Sequence, residues 1–235
     1  MKQEDSKAIS AVAAFIEKRH EFQIFMDGIS QWFLTHPKLR HPDFPFVHSV
    51  KARLKNNEHL KEKIIRKSKE NIEITKDNIF DEITDLAGVR VLHLYQDQFR
   101  TIHEEFLVKV NKLHDWYLPE HPKAYTWDPE SIQFFENQNI KVEIKESFYT
   151  SVHYLVKPRE DSLICCEIQV RTLFEEIWGE IDHVLNYPRQ SLNLSCREQL
   201  LVLAKLVGAG SRLADSIFRS STENNNSKHW GDPAS

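Results

Sequence analysis

The chain has 235 residues, 40% of them apolar and 28% charged, the balance of an ordinary soluble globular protein and long enough for one large domain or a domain plus an appendage. Its 31 basic and 35 acidic residues leave a net charge of −4, which excludes a global field that gathers nucleic acid; any polyanion site must be a local basic cluster. No apolar run approaches the roughly 20 residues of a membrane span, MKQEDSKAIS has no signal-peptide character, and three cysteines (two of them adjacent, Cys165 and Cys166) give neither a disulfide framework nor zinc spacing, so a reducing cytoplasm is the expected setting.

In chain order, AVAAFIEKRHEFQIFMDGISQWF places apolar residues at helical spacing and predicts a long helix over 4–34. HPKLRHPDFPF (36–46) holds three of the nine prolines and reads as a connector. VHSVKARLK (47–55) alternates, with Val50, Ala52 and Leu54 opposite Lys51, Arg53 and Lys55, as in a strand. Asn56 or Asn57 then caps a helix that buries Leu60 and Ile64. AGVRVLHLY (87–95) is a buried strand, and 97–118 and 129–138 read as helices separated by the connector PEHPKAYTWDP. Three strands are expected near 140–146, 149–157 and 162–170. Thr172 and Glu175 form a capping box that opens a helix with Phe174, Ile177, Trp178, Ile181 and Leu185 facing the core. A last helix spans about 194–220, and the polar stretch 221–235 reads as a disordered tail. The sum is one α+β domain over 1–220, with about five strands flanked by helices.

Four groups of residues carry chemistry. Arg53 and Lys55 share a strand face, and His59, Lys63 and Lys67 follow at i, i+4 and i+8 on the next helix. Such lysines gather around a polyphosphate, and an arginine plane stacks on a purine; a solvated helix face produces the same pattern. Asp85 stands at the mouth of a strand, a natural place for a Mg²⁺ ligand and equally for a turn residue. Gly88, three residues on, marks a bend or a close approach of backbone. Tyr149, Ser151 and His153 share one strand face, as do Glu167, Gln169 and Arg171. If those two strands are neighbours, the two polar rows adjoin, which is harder to explain as plain exposed surface than either row alone.

These residues fall into a pattern that resembles the RelA/SpoT-type alarmone synthetase domain, the (p)ppGpp synthetases. The match lies in R-x-K with a further Lys at the tenth position (Arg53, Lys55, Lys63), D-L-x-G-V-R (Asp85 to Arg90), Y-T-S-V-H (Tyr149 to His153), and E-I-Q-V-R-T followed by W-x-E-x-x-H (Glu167 to Thr172, then Trp178, Glu180 and His183). The resemblance implies a nucleotidyltransferase-like mixed sheet. It also implies transfer of the β,γ-pyrophosphoryl group of ATP to the ribose 3′-OH of GDP or GTP. Carried over, Arg53 and Arg90 would sandwich adenine, and Lys55 and Lys63 would hold the ATP phosphates, with His59 where a Ser is usual. Asp85 and Glu167 would share Mg²⁺, and Glu167 would orient or deprotonate the 3′-OH. Tyr149 would stack on the acceptor base with Ser151 and His153 beside it, and Gln169 and Arg171 would complete that wall.

Two further departures from the family pattern fall on the acceptor side. Phe148 stands where a glycine usually precedes the stacking Tyr, and residues 124–140 contain no Lys or Arg. They keep alive a toxin-like relative acting on adenine nucleotides or the tRNA 3′ end, although the net charge leans against tRNA. A catalytically silent nucleotide-binding regulator is the third reading, against which the paired carboxylates argue. Self-assembly through the last helix, and an antitoxin or regulator partner, stay open. The lone His114–Asp115 pair points to no separate hydrolase domain.

Overall fold

The computed structural model of the chain describes residues 2–186 and 193–228. Its elements are helices α1 (Lys2–Thr35), α2 (Asn57–Lys69), α3 (Ile79–Glu82), α4 (Gln98–Leu107), α5 (Pro129–Glu136), α6 (Leu173–Asn186) and α7 (Leu194–Lys228), with strands β1 (Ser49–Leu54), β2 (Ala87–His93), β3 (Lys123–Thr126), β4 (Lys141–Ile144), β5 (Ser151–Val156) and β6 (Cys166–Thr172). The strands form one mixed sheet in the order β1-β2-β6-β5-β3-β4, with β2–β6 and β3–β4 parallel and the other pairs antiparallel. The α+β class expected from the sequence is the fold observed.

Period-two alternation gives the sheet one apolar and one polar face. Val89, Val91, Ile168, Val170, Val152, Tyr154 and Val156 are all buried and belong to one hydrophobic cluster with Phe15, Phe22, Ile29 and Phe33 of α1 and Phe99 and Phe106 of α4. Each such side chain contributes about 1.5–3 kcal/mol on burial. Tyr154 Oη, buried in this layer, lies 2.8 Å from Nδ1 of the buried His103.

Several sequence expectations need correction. The connector between the two middle helices contains a strand, β3, so the sheet has six strands; at four residues beside prolines, its alternation was too short to stand out. The helix expected over 97–118 is α4 plus a single π-helical turn, Val108–Lys112, and it stops before His114, whose φ is 54°. Gly88 neither bends the strand nor admits a close neighbour: a Cβ there would meet nothing nearer than 3.9 Å. In α6 only Trp178 of the expected core face is fully buried, while Ile177, Ile181 and Leu185 are exposed. The capping box forms as expected, with Thr172 N–H donating to Glu175 Oε2 at 2.6 Å and Glu175 N–H to Thr172 Oγ1 at 3.2 Å. It fixes where the helix starts, and the ion pairs of buried Glu176 then choose which side turns inward. Helix α7 continues past 220 to Lys228, into the stretch expected to be disordered; the rest of that stretch, 229–235, lies outside the described residues.

Candidate active site

Register places the polar rows side by side. Across β1, β2 and β6, Arg53 lies beside Gly88 and Gly88 beside Glu167; one step along, Lys51 lies beside Arg90 and Arg90 beside Gln169. His153 of β5 pairs with Gln169. The predicted adjacency of the Tyr149–His153 and Glu167–Arg171 rows is therefore present, and the residues named from the sequence gather on one face of the sheet or at its ends.

Asp85 lies just before β2, outside the alternation of the strand. The Lys55 ammonium donates to its Oδ2 at 2.6 Å and that of Lys63 to its Oδ1 at 2.9 Å. Lys55 arrives there because β1 ends beside Leu86, to whose carbonyl the Lys55 N–H donates at 2.8 Å. Lys63 arrives because Asn56 caps α2, its side-chain oxygen accepting from the N–H groups of Glu58 and His59. Burial pushes the Asp85 carboxyl up, but the two ammoniums outweigh it and hold its pKa below the usual carboxylate range. Arg53 and His59 are exposed beside this cluster.

Glu167 is the centre of a second network. His153 Nδ1 lies 3.0 Å from its Oε1, and Gln169 Nε2 donates to its Oε2 at 2.7 Å. The Tyr149 hydroxyl lies 3.0 Å from the other ring nitrogen of His153, and the Tyr125 ring packs edge-on to the same imidazole at 4.7 Å between centroids. Burial raises the Glu167 pKa, yet the hydrogen bond and charge of His153 together with Gln169 bring it below the ordinary value. The negative charge of Asp85 acts the other way, opposing the ionisation of Glu167, and is outweighed. Ser151 is buried, its hydroxyl donating to Val170 O at 3.4 Å.

Two arginines assigned to nucleotides are held by protein carboxylates. Arg90 pairs with Glu176 at 3.3 Å and with Glu180. Arg171, only 3% exposed, pairs with Glu176 and lies over the Tyr149 ring at 5.6 Å. Glu176 also accepts from the Lys51 ammonium at 2.8 Å.

Residues 52–192 match the family described as the region found in RelA/SpoT proteins, which covers more than half of the chain. The chain belongs to the RelA/SpoT family. No curated protein matches its sequence. Among solved structures it is similar to the small alarmone synthetase 1 of Bacillus subtilis, at 20% identity and a TM-score of 0.66 over 89% of this chain and 96% of that one. It is also similar to a GTP pyrophosphokinase family protein of Streptococcus pneumoniae, at 23% identity and a TM-score of 0.62 over 94% and 96% of the two chains. At these identities the likeness establishes the fold that the RelA/SpoT motifs had suggested.

Within the family frame, Phe148 acquires a physical description. Its φ is +62°, the left-handed region in which glycine alone is free of strain, so the usual glycine suits the backbone that this turn requires. Here that position carries a phenyl ring set edge-on against Trp127 at 5.0 Å. Glu176 is the residue that sequence reasoning missed. Its signal was masked by Glu175, the neighbouring acid that completes the capping box, and nothing local shows that three cations from β1, β2 and β6 end beside it.

Proposed function

We propose that this chain transfers the β,γ-pyrophosphoryl group of ATP to the ribose 3′-OH of GDP or GTP, making (p)ppGpp. The observation that carries the reading is the convergence of Lys55 and Lys63 on Asp85, just before β2, with Glu167 on the neighbouring strand β6 opposite Gly88. On this reading the cations serve a polyphosphate and the carboxylate of Glu167 serves a hydroxyl. The small alarmone synthetase 1 of Bacillus subtilis has been crystallised with AMPCPP and with its product pppGpp, which supports nucleotides on both sides of such a site.

Among the described residues no group of three or more His, Cys, Asp and Glu forms a complete metal cage. Asp85 and Glu167 instead offer the oxygen pair that suits Mg²⁺, which takes one or two carboxylates together with substrate phosphates. Asp85 precedes β2 and Glu167 stands on the adjacent strand β6, opposite Gly88, so the two carboxylates come from neighbouring strands of the polar face. When bound, Mg²⁺ neutralises charge on the phosphates.

The chain's own residues do the rest. Lys55 and Lys63 exchange Asp85 for phosphate oxygens, with His59 alongside, while Arg53 and Arg90 flank the adenine. Tyr149 stacks on the acceptor base, and Ser151, Gln169 and Arg171 support that wall. Glu167, ionised at neutral pH, accepts the hydrogen bond of the 3′-OH and draws off its proton. The 3′-oxygen bonds to the β-phosphorus as that atom's bond to the α,β-bridging oxygen breaks, and AMP departs with the bridging oxygen. In-line placement and charge neutralisation supply most of what such a transfer needs.

The test is incubation with γ-³²P-ATP, Mg²⁺ and, in turn, GDP, GTP, adenine nucleotides and tRNA. The expected result is label in (p)ppGpp. Label in an adenine product or in tRNA would move the acceptor, and ATP binding without transfer to any acceptor would leave a silent regulator. Glu167→Gln is expected to keep ATP binding while losing transfer by about 10²-fold or more. Near-normal turnover of that variant would refute the role of Glu167.

A further inference from the structure

We infer that Glu176 is a positioning residue that links the two nucleotide subsites, so that occupation of the ATP side tightens binding of the acceptor. This rests on the proposed function and adds a connection between its two halves.

The geometry starts from a single buried carboxylate. Glu176 is 4% exposed, and one of its oxygens, Oε1, takes both Lys51 at 2.8 Å and Arg90 at 3.3 Å. Its other oxygen, Oε2, pairs with Arg171. Arg90 rises from β2 on the ATP side, whereas Arg171 lies over the ring of Tyr149, the acceptor platform. One acid thus holds a cation belonging to each subsite.

The Arg171 arm is tightly seated, because α6 leaves room for it. A Cβ at Gly179 would stand 2.9 Å from Arg171 Nη1, so the absence of a side chain there lets the guanidinium lie against the helix. The same guanidinium is incompletely satisfied, since its buried Nε has no hydrogen-bond partner. Among the contacts that seat it, the ion pair with Glu176 is the one that carries opposite charge.

These contacts make Arg90 and Arg171 competitors for one charge. With the ATP side empty, Glu176 divides its charge between them. A purine that engages Arg90 draws it off Oε1, and the undivided charge of Glu176 then falls on Arg171 and Lys51. Arg171 is held more firmly over Tyr149, and the acceptor platform is ordered before the acceptor arrives. Glu180, half-exposed and paired with Arg90, gives Arg90 a second resting place on the same helix but makes no contact with Arg171 that would carry the effect.

The experiment measures binding of GDP to the full chain by calorimetry, with and without saturating α,β-methylene-ATP, whose carbon bridge blocks cleavage. In the wild type the ATP analogue is expected to tighten GDP binding by about fivefold or more, within the usual range of site-to-site coupling. In Glu176→Gln the ratio is expected to fall to near one, while Glu180→Gln keeps it. Gly179→Ala guards against a folding artefact, because alanine is the better helix former and leaves both carboxylates in place. It is expected to weaken GDP binding severalfold while leaving affinity for the ATP analogue within about twofold, an asymmetry that general destabilisation does not produce. A wild-type ratio of one, an unchanged ratio in Glu176→Gln, or equal losses for both nucleotides in Gly179→Ala would overturn the inference. Failure of the wild type to bind GDP at all would overturn the proposed function with it, whereas uncoupled binding of both nucleotides would overturn this inference alone.

Discussion

Replacing Asp85 by Asn separates two roles that the wild type superimposes. In the structure its carboxylate occupies the two ammoniums proposed to hold the ATP phosphates, at 2.6 and 2.9 Å. Charge-assisted hydrogen bonds contribute about 1.5–3 kcal/mol each, so freeing both lysines costs about 3–6 kcal/mol before any phosphate contact is made. The three side chains are 17%, 24% and 27% exposed, so the released groups regain some hydration and the net cost falls to about half. Without a metal, ATP must meet that cost; with Mg²⁺ present, Asp85 would help hold the cation, whose charge would offset the loss of the lysine pairs. In Asp85→Asn the negative charge is gone, and a single neutral amide oxygen is the most that remains for the two lysines to donate to. The variant is therefore expected to bind metal-free α,β-methylene-ATP about 10–100-fold more tightly than the wild type, about 1.4–2.8 kcal/mol, and to show little further gain on adding Mg²⁺. Calorimetry in EDTA and then in Mg²⁺ measures both quantities. The folded variant should also be less stable than the wild type until nucleotide is added, because two ammoniums are left facing each other. Metal-free binding no tighter than wild type, or a Mg²⁺ response of wild-type size, would refute the partner exchange.

Other outcomes follow from groups around the site. At position 148, Gly is expected to be more stable than Ala by about 1 kcal/mol, because both lose the ring against Trp127 but only Gly relieves the φ of +62°; urea titration measures the difference, and equal or reversed stabilities would contradict the strain. Burial raises the Glu175 carboxyl to about 7, so its effect on stability is favourable at low pH and is lost as pH rises from the unfolded value of 4.5 through 7. Glu175→Gln keeps the capping box and should remove that slope, leaving the variant about 3 kcal/mol more stable at pH 8 by denaturation; no gain there would refute the assignment. Burial lowers His103, bonded to Tyr154, to about 4. Its neutral form stabilises the fold fully above 6.5, and that contribution, about 3 kcal/mol, disappears as pH falls from 6.5 through 4. His103→Phe is expected to flatten this acid limb in thermal unfolding at pH 4–7, and an unchanged limb would show that His103 is not its source.

The alternation of Arg53–Lys55, Tyr149–His153 and Glu167–Arg171 was legible in the sequence because a strand's period of two assigns faces without knowledge of neighbours. The cap at Asn56 and the box of Thr172 and Glu175 were legible for the same reason, since each is closed by residues three apart or fewer. Strand β3 was hidden: four residues carry too little pattern, and their pairing with β4 and β5 supplies the reason they are extended. The inward side of α6 was misread because hydrophobic periodicity favoured Ile177 and Ile181, whereas the buried position is held by Glu176.

The sequence by itself thus determined the class of fold, the family and the set of polar residues placed on one face of the sheet. Tertiary structure alone decided the partnerships among them. Asp85 finds Lys55 and Lys63 across 30 and 22 residues of chain, and Glu176 finds Arg90 across 86. Periodicity fixes the direction in which a side chain leaves its own element, but which opposite charge it meets depends on strand order, register and the rotation of a helix. Those are set by burial of the whole core, so the charge pattern of the site is a property of the packed molecule.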